Sequence, residues 1–144
     1  SRSRRACSAL CAGYSGQPLR NIKAMRMMLR RDPRMLLDNF YSAMADPEII
    51  AFAAEPTLNI AALDEGLECL MNYDVRNRLA AVKCPVLMIQ GGMDHISGSG
   101  QAAFLAQQLP HGNIRTFADA GHAIIFTRTD DCRGLVESFL GGVL

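Results

Sequence analysis

At 144 residues, with 49% hydrophobic and 20% charged side chains, the chain has the size and balance of one ordinary globular domain. That balance excludes a disordered tail and a collagen-like repeat, and five cysteines with no Cys-X-X-Cys and an odd one left over exclude a disulfide framework. The net charge of +1 hides a split: residues 1–34 hold nine Lys/Arg against Asp32 alone, whereas the rest holds six basic and thirteen acidic residues.

No apolar run approaches the ~18 residues that would cross a bilayer. The apolar part of the opening SRSRRACSALCAGYSG, Ala6 to Ala12, barely reaches the minimum for a signal-peptide core and is interrupted by Ser8, so the expected location is the cytoplasm. Cys7 and Cys11 stand four apart with no second ligand pair nearby, so neither a metal nor another cofactor is expected. The basic N-terminal third marks either a docking surface for an acidic partner or a solvated helix face. Nucleic acid is not the expected partner, because only Tyr14 offers a stacking ring among those charges.

In chain order, Pro18 opens a helix to about Arg30, with Ile22, Met25, Met28 and Leu29 on one face and Arg20, Lys23, Arg26 and Arg30 mostly on the other. Asp32-Pro33 stops that helix and starts the next, since aspartate accepts from orphan amides and proline suits the first helical position. Its apolar face is Leu36, Leu37, Phe40, Tyr41 and Met44. Asp46-Pro47 is expected to repeat the device and open a third helix. A fourth, about Leu58 to Met71, turns Leu63, Leu67, Leu70 and Met71 to a core.

The pattern changes after Lys83. Cys84-Pro85 opens VLMIQ, a continuously apolar run ended by Gly91-Gly92, as in a strand buried on both faces of a parallel sheet. A helix near Gln101–Leu109 closes at Pro110 and the His111-Gly112 turn, Asn113–Phe117 reads as a second strand, and Asp130–Leu140 as a last helix. Strand, helix, strand, helix makes an α/β crossover with parallel strands.

In parallel sheets, catalytic groups sit beyond the carboxyl ends of strands. Asp94 follows VLMIQGGM and His122 follows IRTFADAG, so adjacent strands deliver a carboxylate and an imidazole to one edge. A nucleophilic hydrolase needs that pair: the imidazole shuttles the proton of a serine, and the carboxylate fixes its tautomer and stabilises the imidazolium. His95 and His111 read as surface residues. A GxSxG elbow is missing, since Gly13-Tyr14-Ser15-Gly16-Gln17 fails at its second glycine, and Ser97 and Ser99 follow the acid without an elbow.

On these residues the chain resembles the C-terminal part of an α/β-hydrolase. DVRNRLAAVKCPVLMIQGGMDHISGSG is similar to the family's lead-in to the acid, with Asp74, Arg76, Leu79, Pro85, Gly91 and Asp94 in place, and ADAGHAIIF to its histidine loop. ISGSG replaces the proline often found after the acid. The resemblance implies a helical lid over residues 1–72 and the last part of the α/β core over 73–144. It also implies a serine, upstream of a chain that is a fragment and inactive alone. The stretch LRNIKAMRMMLRRDPRMLLDNF resembles the lids of the pimeloyl-carrier-protein methyl ester esterases of biotin synthesis. That implies hydrolysis of a methyl ester carried by an acidic acyl carrier protein, with Arg20, Lys23, Arg26 and Arg30 as its docking stripe. Two alternatives stand beside it: a general carboxylesterase or other lidded α/β-hydrolase, and a non-catalytic remnant that binds an acidic protein.

Overall fold

A computed structural model describes residues 18–50 and 57–143; the Cys7/Cys11 pair, the GYSGQ stretch and Arg2, Arg4 and Arg5 lie outside them. Three helices come first, α1 (Leu19–Arg31), α2 (Pro33–Ala45) and α3 (Ile60–Asn72). A 3-10 helix, Arg76–Ala81, then leads to β1 (Val86–Gly91), α4 (Ser99–Gln108), β2 (Gly112–Phe117), the short α5 (Ile124–Thr127) and α6 (Thr129–Val143). Among the described residues no helix is long and apolar enough to cross a membrane.

The expected stop at Asp32 is found. Its N–H donates to the Met28 carbonyl to close α1, and its carboxylate accepts from the Met35 N–H at 2.9 Å to cap α2. Ile22 and Leu29, seven positions apart on α1, are 1% exposed, and Leu36 of α2 is buried. The charged side of α1 is only partly free. Arg26 grips Asp64 of α3 with two bonds of 2.6 Å, Nε to Oδ1 and Nη2 to Oδ2, and Arg30 Nη2 stands 3.5 Å from Asp64 Oδ2. The fork geometry ties α1 to α3 more specifically than a single point charge would. The hydrogen bond from Arg26, working against burial, pulls the Asp64 carboxyl down to about 2. A carboxyl depressed in the fold stabilises it above its ordinary pKa of 3.8 and loses that contribution as pH falls toward 2. Thermal unfolding of Asp64→Asn is therefore expected at a lower temperature than wild type at pH 7, with the two converging as pH drops through that window. An equal gap at pH 2 and pH 7 would contradict the pairing.

Two sequence expectations are corrected. Asp46-Pro47 does not open a helix: the Asp46 N–H donates to the Ser42 carbonyl, ending α2, and residues 46–48 form a turn. The helix after Asn59 is thus the third among the described residues, capped by the Asn59 side chain on the Ala62 N–H at 3.0 Å. The turn at Asp46 is held because it packs on the loop after β2. VLMIQ, expected to be buried on both faces, is only half-buried from Val86 to Ile89 and fully buried at Gln90 and Gly91. Among the described residues β1 pairs with one strand alone, β2.

The two strands are parallel, in register from Val86↔Gly112 to Gly91↔Phe117, as the strand–helix–strand order requires. Ala120, Ile124 and Cys132 form a buried cluster with Ile89 and Phe117 against it, joining both strands to α5 and α6. The four-residue α5 was not expected, because one helical turn carries no periodicity.

Candidate active site

Because β1 and β2 are parallel and level at Gly91 and Phe117, the loops after them leave from one edge of the sheet. Close approach of these loops depends on small residues. A Cβ on Gly91 would strike the carbonyl oxygens of Gly121 and Ala120, and one on Gly92 would lie 2.7 Å from the Ala118 oxygen. In that space the Gly92 N–H donates to Phe117 at 2.7 Å and the Met93 N–H to Ala120 at 2.9 Å. Both loops are thereby stitched together through the backbone before any side chain meets.

Asp94 builds its own loop. Oδ1 accepts from the N–H groups of Ile96 at 2.8 Å and Ser97 at 2.9 Å, the Asx-turn device, and Gly98 then takes φ 81°, where a side chain would be strained. This is how the ISGSG sequence turns without a proline. Oδ2, left over, accepts from Gln90 Nε2 at 3.3 Å and meets His122 Nδ1 at 2.9 Å. The Asp94 side chain is 7% exposed and that of His122 30%. Burial by itself would raise the Asp94 carboxyl. The hydrogen bond from His122, the Ser97 N–H, the imidazole's charge and the Ile96 N–H outweigh it and hold the group below the usual carboxylate range. An ionised carboxylate only accepts, so the nitrogen facing it, Nδ1, is the one that carries a proton, and in the neutral tautomer this selects the lone pair lies on Nε2.

The histidine loop is also gripped by the helical segment. Ala123 N–H donates to the Met44 carbonyl at 3.0 Å, and Gly121 lies so near the Asp46 carbonyl that a Cβ there would collide with it. Arg128 Nη1 stands 3.5 Å from Glu48 Oε1, while its Nη2 bonds Asp119 at 3.0 Å. The end of α2 and the residues after it therefore pack directly on the loop that carries His122.

Of the residues singled out in the sequence, Asp94 and His122 are brought together. Ser97 and His122 also meet, but Ser97 Oγ lies 3.3 Å from Nδ1, the nitrogen already facing the acid, and not at Nε2 where a nucleophile would lose its proton. His95 is exposed, with Nε2 3.8 Å from Asp46 Oδ2, and His111 lies exposed in the turn after α4. Arg20, Lys23 and Arg30 are exposed on α1, whereas Arg26 is turned to Asp64 and Glu68. Sequence reasoning missed Gln90, whose only signal was a polar residue closing an apolar strand, and the Glu48–Arg128 pair, which left none.

The geometry places a carboxylate against an imidazole beyond the ends of two parallel strands. No family model matches the chain. Among solved structures it is similar to an esterase from Exiguobacterium antarcticum, with a TM-score of 0.70, 16% identity, and coverage of 89% of this chain and 49% of that one. A hydrolase from Pseudomonas aeruginosa also gives 0.70, at 19% identity, covering 93% of this chain and 52% of that one. The fold is thus that of the C-terminal part of an α/β-hydrolase. By sequence the chain is similar to a pimeloyl-[acyl-carrier protein] methyl ester esterase from Aromatoleum aromaticum, 38% identical over 82 residues, 57% of this chain and 33% of that protein. The matched segment thus spans about a third of that relative's length.

Proposed function

We propose that the chain supplies the acid, the general base and the lid of a cytoplasmic serine ester hydrolase whose nucleophile lies in sequence outside these 144 residues. The observation that carries this reading is the 2.9 Å contact between His122 Nδ1 and a buried Asp94 held in its ionised form, with similarity to named esterases in support. With the proton on Nδ1, Nε2 takes the serine proton as the oxygen attacks the ester carbonyl, and returns it to the departing alkoxide, which leaves as the alcohol. Water then repeats the cycle on the acyl-enzyme and releases the acid. Asp94 stabilises the imidazolium formed in each step. Among the described residues Ser97 meets His122 at Nδ1 and not at Nε2, and on this reading the 144 residues are inactive alone.

The substrate proposed is a methyl ester on an acyl chain tethered to an acidic carrier protein, from the similarity to pimeloyl-[acyl-carrier protein] methyl ester esterases and the basic face of α1. Arg26 is engaged with Asp64, so docking falls on Arg20, Lys23 and Arg30, the exposed members of the stripe. Such contacts are screened by salt. The experiment is hydrolysis of methyl-pimeloyl carrier protein across ionic strength. Arg20→Glu with Lys23→Glu is expected to raise KM roughly tenfold at low salt, with the difference fading toward high salt. An affinity indifferent to salt in both proteins would remove the docking stripe.

A further inference from the structure

The contact between Ser97 and His122 has no part in the triad as usually drawn. We infer that Ser97 is a positioning residue for His122, its hydroxyl oxygen serving as the second acceptor of the Nδ1 proton, beside Asp94 Oδ2. Nδ1 lies 2.9 Å from Asp94 Oδ2 and 3.3 Å from Ser97 Oγ, the short and long arms of one three-centre bond. Ser97 is suited to this because the Asx turn fixes its backbone: its own N–H is bound to Asp94 Oδ1 at 2.9 Å, so one loop presents both acceptors together. Two acceptors sharing one N–H restrain the orientation of the ring more than one acceptor does. The hydroxyl dipole also faces the ring where positive charge develops when Nε2 takes a proton. No bond is made or broken by Ser97 in this role.

The inference rests on the reading of His122 as the general base, and its test separates the two. In the protein as encoded in full, Ser97→Ala keeps the backbone N–H and hence the turn. It is expected to lower kcat about three- to tenfold with KM unchanged, the range of a modest neutral hydrogen bond, and to move the Nδ1–H resonance of His122 upfield in proton NMR. Ser97→Thr, which retains the hydroxyl, is expected to restore both to near wild type. Loss of kcat with an unmoved resonance, an unmoved pair of readings, or a Thr variant that behaves as Ala does would each overturn the inference. A resonance that responds to Ser97 in a protein that hydrolyses no ester would leave the hydrogen bond standing and sink the esterase reading instead.

Discussion

Replacing Asp94 by asparagine is expected to lower kcat/KM of the complete enzyme by about ten-thousand-fold while leaving the fold intact. The reason lies in the donors around the carboxyl. Ile96 and Ser97 point two N–H groups at Oδ1, so the asparagine oxygen is drawn to that position and its NH2 falls where Oδ2 faces His122. The amide then donates to Nδ1, the ring proton moves to Nε2, and the nitrogen that should take the serine proton has no lone pair. Gln90 Nε2, near Oδ2, would face a second donor and adds to the mismatch. The checks are steady-state kinetics together with a thermal melt. A loss below about tenfold would mean that Asp94 does not orient the base.

Gly91→Ala is expected to cost about a hundredfold in turnover and about 1–3 kcal/mol in stability, through crowding alone. The added methyl would meet the carbonyl oxygens of Gly121 and Ala120, backbone atoms that cannot swing aside as a flexible side chain can. Relief requires the histidine loop to lift from β1, which lengthens the 2.9 Å contact on which the pair depends. Nor can the loop lift freely, because its other side rests on Asp46 and Met44. Unfolding melts and kcat/KM on the same preparation measure both effects. Wild-type values in each would show that the two loops are not in backbone contact at Gly91.

Asp94 and His122 were legible in the sequence because each ends a recognisable strand signal, and parallel pairing brings such ends to one edge whatever the details of packing. The caps of α2 and the extent of α1 were legible for a similar reason: Asp32-Pro33 acts within a single turn. What escaped depends on contacts between distant segments. Asp46-Pro47 has the same local chemistry as Asp32-Pro33, yet it ends as a turn packed beside Gly121, a neighbour 75 positions away that no local rule reveals. Arg26 reads as one more cation on a polar face until Asp64 is seen opposite it on α3. Ser97 is set aside as a nucleophile in the sequence because it follows the acid without an elbow, and only its distance to Nδ1 rather than Nε2 suggests a different role.

The central proposal, that His122 and Asp94 activate a serine lying outside these residues, is tested most directly by mapping a fluorophosphonate adduct in the complete protein. A single labelled serine beyond the 144 residues, with labelling abolished in His122→Ala, is the expected result. An adduct on Ser97, Ser99 or any other serine of this chain, or labelling that persists unchanged without His122, would contradict it.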